Sequence, residues 1–148
     1  MILPLRQEYD LSMIDFRRYR HYTYEDGGRG PVAIDCWGLV REVRHDMGYA
    51  WLPSFAECRH TDPRGFTRAY EQQAEKMQPG PPENAAIAAA FRGRICVHVG
   101  IVVDIDNRLF VLDIDAGRGA EFTPLPDFEA RYGEVIYYRD KNLPEPVF

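Results

Sequence analysis

The chain has 148 residues, of which 45% are hydrophobic and 28% are charged, and these values are typical of one globular domain with its own core. Its formal net charge of −5 argues against non-specific nucleic-acid binding, because that binding requires a basic surface. The three cysteines are an odd number without a C-x-x-C pair, so neither a disulfide framework nor a zinc ribbon is indicated.

The two ends of the chain are expected to be peripheral, with residues 1–12 as a lead-in and residues 141–148 as a tail around a single domain. The first residues become polar too soon for a signal peptide. Because no run of about 18 apolar residues occurs, we expect no membrane insertion. The sequence therefore predicts synthesis in the cytoplasm, and action outside the cell would need another carrier.

The first half of the chain is predicted to be helical. Residues 13–21 could form a short helix of poor amphipathicity, and the glycine-rich stretch 27–31 is a loop. The strongest helix pattern starts at Cys36, ends near Gly48, and has one apolar stripe made by Cys36, Leu39, Val40, Val43 and Met47. A second helix is predicted from Asp62, its N-cap, to Pro79.

The second half is predicted to be β. Residues 95–103 and 109–114 alternate as strands around an Asp106-Asn107 turn, and residues 134–139 are a third strand. If Ile105 lies opposite Arg108, then Asp113 lies opposite Gly100 and Asp115 opposite His98. The same alternation places Cys96 on the His98 face. Residues 85–91 are ambiguous between helix and strand, because alanine favours helix but the run is short.

A cysteine at a helix N-terminus is a candidate nucleophile, because the unpaired N–H groups and the helix dipole favour the thiolate. Cys36 is thus expected to be the most reactive of the three thiols. Asp35 opposes this effect by its charge, unless its carboxylate is turned away to cap the backbone. The alternative is that Cys36 is a small buried hydrophobic residue.

Cysteine catalysis also needs an imidazole and a third polar group that orients the imidazole. His98 on a strand, followed by an aspartate on the neighbouring strand, meets this requirement, and Gly100 would leave space for a substrate. The alternative for His98 alone is a core histidine whose hydrogen bonds are satisfied.

These segments carry a family resemblance. The stretches Tyr24-Glu25-Asp26-Gly27-Gly28, Asp35-Cys36-Trp37-Gly38-Leu39-Val40 and His98-Val99-Gly100-Ile101 resemble those of the NlpC-type cell-wall cysteine peptidases. Trp after the cysteine, with Arg-Gly-Pro before it, is similar to the branch found in phage and prophage tail tips. The resemblance covers roughly residues 20–139. It implies a papain-like α+β fold, in which the cysteine helix packs on an antiparallel sheet that carries the histidine.

The resemblance also implies roles for single residues. Cys36 would be the nucleophile, His98 the general base, and Tyr24 the tyrosine that contacts the cysteine loop. Asp35, Trp37 and Gly100 would support the site or bind substrate. The family's third residue, usually His, Asn or Gln, falls on Asp113, which we expect to orient His98 by accepting its Nδ1–H, with Asp115 as the competing candidate. Members of the resembled family carry an apolar strand at the position of residues 85–91. The resemblance therefore implies that this run is a strand.

The activity implied by the resemblance is hydrolysis of peptidoglycan stem peptides, typically between D-glutamate and a diamino acid. The mechanism would need no metal and no cofactor. Phage tail-tip proteins are possible partners. Two alternatives remain open at this point, namely a structural tail-assembly module with a vestigial site, and a transferase or amidase on the same scaffold, such as a secreted antibacterial effector.

Overall fold

The computed structural model describes residues 16–55, 58–59 and 61–141, and it has a mixed α+β fold. Within these ranges, a 3-10 helix at Phe16–His21 is followed by three α-helices and eight strands. The helices are α1 (Cys36–Asp46), α2 (Pro63–Ala74) and α3 (Leu125–Ala130). The strands are β1 (Thr23–Tyr24), β2 (Ala33–Ile34), β3 (Met77–Gly80), β4 (Ile87–Arg92), β5 (Ile95–Ile105), β6 (Arg108–Asp115), β7 (Arg118–Pro124) and β8 (Glu134–Asp140).

The main sheet has six strands in the order β3-β8-β4-β5-β6-β7, and every neighbouring pair is antiparallel. The predicted α+β class is therefore confirmed. The alanine-rich run forms β4, which pairs with β5 on one side and β8 on the other. Its small side chains are buried on both faces, so burial within the sheet overrides the helical preference of alanine.

Each face of the sheet has its own hydrophobic core. The α1-side core joins α1 and α2 to one face, and it contains Cys36, Leu39, Phe66, Val99 and Ile101 among others. The α3-side core packs Phe128 of α3 against the opposite face, with Val102 and Val111. Because both faces are covered, the central strands β4, β5 and β6 are almost fully buried.

The β5–β6 hairpin has the predicted register. Ile105 pairs with Arg108 and Ile101 pairs with Leu112. The turn between the strands consists of Asp106 and Asn107, both with positive φ, as a tight hairpin turn requires. This register places Asp113 beside Gly100.

One prediction about β5 is wrong. Ala90 pairs with His98 and Phe91 pairs with Cys96, so Val97 is an extra residue that forms a β-bulge. The bulge reverses the alternation before His98, and Cys96 lies in the α1-side core rather than on the His98 face. Nothing in the local composition distinguishes this bulge from regular alternation.

Two helix boundaries also differ from prediction. The helix that begins after Asp62 ends at Ala74, because Met77 to Gly80 pair with β8 as the edge strand β3. Pro79 is tolerated there because an edge strand can lack one N–H donor. Of the weak helix predicted at 13–21, residues 16–21 form the 3-10 helix, and residues 13–15 lie outside the described chain.

No pattern in the sequence predicts β7 or α3. β7 is an edge strand of mixed exposure, and α3 is a helix of only six residues. Within the described ranges, every helix is too short or too polar to cross a lipid bilayer.

Candidate active site

Helix α1 begins at Cys36, and Asp35 is its N-cap. Asp35 Oδ1 accepts a hydrogen bond from the Gly38 N–H at 2.8 Å. A side-chain acceptor at this position satisfies one of the N–H groups that the first turn of a helix leaves without a partner. The sequence Asp-Cys therefore fixes the cysteine as the first helical residue.

The other carboxylate oxygen of Asp35 is also engaged. Oδ2 accepts hydrogen bonds from the Gly27 N–H at 3.0 Å and from Arg29 Nη1 at 2.7 Å. We expected Asp35 to oppose the thiolate less if its carboxylate capped the backbone. The carboxylate does cap the backbone, and it also forms an ion pair with Arg29. Both partners of this pair are largely buried.

Arg29 is a site residue that the sequence did not single out. Besides Asp35, its guanidinium donates to the carbonyl oxygens of Ser54 at 2.5 Å and Phe55 at 2.6 Å. It therefore ties the glycine loop, the start of α1 and the loop after residue 50 together. The only signal was its position inside the glycine-rich stretch, next to the motif that carries the family resemblance.

The glycine loop packs against α1 at a distance that only glycine permits. A Cβ added at Gly38 would lie 2.6 Å from the carbonyl oxygen of Gly28, and one at Gly28 would lie 2.6 Å from that of Ala33. This close packing brings β1 and β2 beside the helix start.

Cys36 is fully buried, with 1% of its surface exposed. Burial raises the pKa of its thiol well above the ordinary value, and the charge of Asp35 acts in the same direction. A hydrogen bond from the backbone N–H of Val99 acts in the opposite direction. The expected preference for the thiolate is therefore outweighed by burial, and the resting side chain is a neutral thiol.

Tyr24 and Asp115 interact electrostatically with Cys36. The pKa of Tyr24 is raised by burial first and then by the negative charge that ionised Cys36, Asp26, Asp35 and Asp115 would present. Asp115 also raises the pKa of the Cys36 thiol. Tyr24 pairs with Ile34 across the β1–β2 ladder, two residues before Cys36 in the chain.

His98 and Asp113 are in direct contact, as expected. His98 Nε2 and Asp113 Oδ2 are joined by a hydrogen bond of 2.7 Å, and both side chains are buried. The contact uses Nε2 of the ring, whereas we expected Nδ1. Arg118, on β7, donates from Nη2 to the same Oδ2 at 2.9 Å and forms an ion pair with it.

The Asp113 carboxyl is held as a carboxylate. Burial alone would raise its pKa, but the hydrogen bonds and charges of His98 and Arg118 hold that pKa below its ordinary value. Asp115, the competing candidate, does not take this position. A register shift in the β6–β7 ladder falls between the two aspartates, and Asp115 Oδ1 accepts from the Ala116 N–H.

Cys36 contacts strand β5 at Val99, which is the residue after His98. The thiol belongs to the α1-side core and contacts the Val99 N–H. The imidazole lies on the α3 side, with its ring centroid 6.2 Å from that of Phe128 and 6.1 Å from that of Tyr132. The β5–β6 pairing stops at Ile101 and Leu112, before it reaches His98. The thiol thus contacts the residue next to His98 from the α1 side of the sheet, whereas the imidazole packs on the α3 side.

Gly100 does not leave open space, which corrects the sequence expectation. A Cβ at Gly100 would lie 2.5 Å from Val111 Cγ1 and 3.2 Å from Asp113 Cβ. Glycine is needed because β6 approaches β5 closely here, and this approach brings Asp113 to the His98 ring. Gly100 thus supports the contact between His98 and Asp113.

Trp37 has a supporting position next to the candidate nucleophile. Its Nε1 donates to the carbonyl oxygen of Pro53 at 2.9 Å, and its ring centroid is 5.9 Å from that of Phe55. It therefore links the loop after residue 50 to the start of α1.

All three cysteines lie in the described part of the chain and are free thiols. Cys96, whose Sγ donates to the His98 carbonyl oxygen at 3.8 Å, is buried, and burial raises its pKa to about 12. Cys58 is only half-buried. Among the described residues, no group of three or more His, Cys, Asp or Glu side chains could hold a metal ion.

Comparison of the chain with protein-family models, with curated proteins and with solved structures gives no match. The geometry of Cys36, His98, Asp113 and Arg118, together with the motif resemblance, is therefore the basis for a functional proposal.

Proposed function

We propose that this protein is a cysteine peptidase that hydrolyses peptidoglycan stem peptides. The observation that carries the proposal is the buried hydrogen bond between His98 and Asp113, one residue along β5 from the position that Cys36 contacts. Cys36 Sγ contacts the main chain at Val99, next to His98, and His98 is hydrogen-bonded to Asp113. These three residues come from α1, β5 and β6, so the fold joins positions that are far apart in sequence.

In the proposed mechanism, His98 acts as the general base and takes the proton of the Cys36 thiol. The thiolate attacks the carbonyl carbon of the scissile amide, and a tetrahedral oxyanion forms. The Cys36 N–H at the start of α1 stabilises this oxyanion, because N–H groups of a first helical turn have no acceptor within the helix. The imidazolium then protonates the departing amine.

A thioester between Cys36 and the acyl part of the substrate remains. His98 takes a proton from a water molecule, which attacks the thioester carbonyl, and the thiol leaves as the acid product is released. Asp113 accepts a hydrogen bond from the imidazole throughout and keeps the ring in one orientation. No step uses a metal ion or an organic cofactor.

The finer fold assignment belongs to the same proposal. A helix that starts at the candidate nucleophile and packs on an antiparallel sheet carrying His98 is consistent with the papain-like NlpC fold. Delivery in a phage or prophage tail, with tail-tip proteins as partners, follows from the motif resemblance alone.

The test is incubation of the purified protein with muropeptides of defined stem composition, followed by mass spectrometry. Cleavage products are expected from the wild type and not from Cys36→Ser, because a hydroxyl has a much higher pKa and supplies no anionic nucleophile. Cys58→Ser is the matched control, since it removes the most accessible thiol and should keep full activity. Equal cleavage by wild type and Cys36→Ser would remove Cys36 from its role.

A structural tail-assembly module with a vestigial site is the second candidate. The complete burial of Cys36 and the raised pKa of its thiol favour it. An active enzyme must expose this thiol to substrate, so muropeptides should change its rate of alkylation. An assembly module should show no such change at any muropeptide concentration.

A further inference from the structure

One side of α1 leads away from the candidate nucleophile. Trp37, Arg41 and His45 are spaced four residues apart, so their side chains follow one another along the same side of the helix. The loop after residue 50 covers this side, and Arg41 Nε donates to the carbonyl oxygen of Leu52 at 2.9 Å. This side of α1 therefore begins at the residue after Cys36 and is fixed in place by the loop.

Trp51 is a large aromatic side chain of this loop that remains 51% exposed. Its ring stacks on the imidazole of His45, with the ring centroids 3.9 Å apart and an angle of 13° between the planes. Arg41 Cζ lies 5.0 Å from the Trp51 ring centroid, which is a cation–π distance. Arg41, His45 and Trp51 together are called the Arg41 surface. Its guanidinium and its indole are thus held by several contacts at the surface of the protein.

Arg41 is half-buried, and no carboxylate of the described residues pairs with it. Burial lowers the pKa of its guanidinium, and the positive charge of Arg29 lowers that pKa further. Arg118 shows the opposite effect, because its pKa is raised by the Asp113 carboxylate although burial alone would lower it. Cations that lose hydration in a protein are usually paired with an anion. The charge of Arg41 is therefore available to an anionic group from outside the protein.

We propose that Arg41 is a specificity residue that binds a carboxylate of the substrate. Its Nε is fixed on Leu52, and the two terminal nitrogens of a guanidinium can donate to the two oxygens of one carboxylate. Arg41 follows Cys36 by five residues, a rise of about 7.5 Å along the helix, which is the length of about two extended residues. The inference rests on the proposed function and adds to it, because a stem peptide of D-glutamate and a diamino acid carries carboxylates within this reach of the scissile amide.

The test uses γ-D-glutamyl-L-lysine and its two monoamides, in which either the glutamate α-carboxyl group or the lysine carboxyl group is an amide. Binding to the Cys36→Ser variant, in which no cleavage is expected, is followed by the NMR signal of the Trp51 indole N–H. At least one monoamide should bind at least about tenfold more weakly than the parent dipeptide, because the hydrogen bonds between two charged groups are lost. The monoamide that is weakened identifies the carboxylate.

Arg41→Gln, added to Cys36→Ser, removes the charge but keeps an N–H donor for Leu52, and it should bind all three probes with the same low affinity. Arg108→Gln, at the exposed start of β6, is the matched control and should keep the discrimination. Equal binding of the parent and both monoamides, unchanged discrimination in Arg41→Gln, or no shift of the Trp51 signal would overturn the proposal. The readout needs no turnover, so failure here and failure of the muropeptide assay are separate results.

Discussion

At the scale of single residues, Arg118 explains how the aspartate Asp113 can lie beside the candidate catalytic histidine, His98. The family resemblance of the sequence motifs predicts His, Asn or Gln at this position. Arg118 forms an ion pair with Asp113 through the same oxygen that contacts His98. The pair as a whole is neutral, so the imidazole meets a well-oriented acceptor without a full uncompensated charge.

The thiols should react in the order of their exposure. Cys58, which is half-buried, should be alkylated by iodoacetamide before Cys36 and Cys96, which reverses the order expected from the helix-start position alone. Because burial raises the pKa of Cys36, its alkylation rate should rise about tenfold per pH unit from pH 7 to pH 9 without reaching a plateau. Peptide mapping of samples quenched at intervals measures both effects. A plateau of the Cys36 rate near neutral pH would contradict the account of its burial.

Asp113, and not Asp115, should support activity. Asp113→Ala removes the acceptor that orients the imidazole and should lower kcat/KM for muropeptide cleavage by at least about tenfold. Asp115→Ala should change kcat/KM less, since the contact of Asp115 is with the Ala116 N–H. Asp113→Asn, which keeps an acceptor oxygen, should recover part of the loss. A larger loss in Asp115→Ala than in Asp113→Ala would reverse the assignment.

At the scale of elements, the start of α1 is held by more than its helix cap. Asp35 caps the helix, and its second oxygen joins Arg29, which in turn binds the loop carbonyls of Ser54 and Phe55. The start of α2 has a similar cap, in which Asp62 Oδ1 accepts from the Gly65 N–H at 3.2 Å. The two helix starts therefore differ mainly in the Arg29 network.

This difference predicts unequal costs for one substitution. Asp62→Ala removes a cap alone and should lower the free energy of unfolding by about 1 kcal/mol. Asp35→Ala also leaves the Arg29 guanidinium buried without its carboxylate, and it should cost about 3 kcal/mol or more. Urea unfolding at pH 7 measures both values. Equal costs for the two variants would show that the ion pair adds nothing to the cap.

At the scale of the whole molecule, the sequence predicts well what depends on local periodicity. The start of α1 at Cys36 follows from an apolar stripe and a capping aspartate, and the β5–β6 register follows from a two-residue turn. Element boundaries that depend on tertiary pairing are harder to predict from the sequence. Met77, for example, continues the helical pattern of α2 but pairs with β8. The contacts of Arg29 with Asp35 and of Arg118 with Asp113 form only when several elements come together in the fold. No local sequence pattern predicts them.

The buried Asp113 carboxylate should also shape the acid stability of the protein. Its pKa in the folded state lies below the value of about 3.9 expected when unfolded, so its stabilising effect is complete above that value and is lost as the pH falls through the folded-state pKa. The Tm of the wild type should therefore fall more between pH 6 and pH 3 than the Tm of Asp113→Asn. Asp127→Asn, at an exposed position, is the control and should follow the wild type. Parallel Tm curves for wild type and Asp113→Asn would exclude this linkage.

The bulge at Val97 has a consequence for how the chain can change in length. Loss of one residue from a regular strand turns every side chain on one side of the deletion to the other face. Val97 is already the extra residue of its strand, opposite the Ala90–Phe91 step. Its deletion would leave Cys96 facing α1 and His98 facing α3, as they do now. Within β5, the position next to the candidate catalytic histidine is thus the one where evolution could shorten the strand while keeping both faces of the sheet intact.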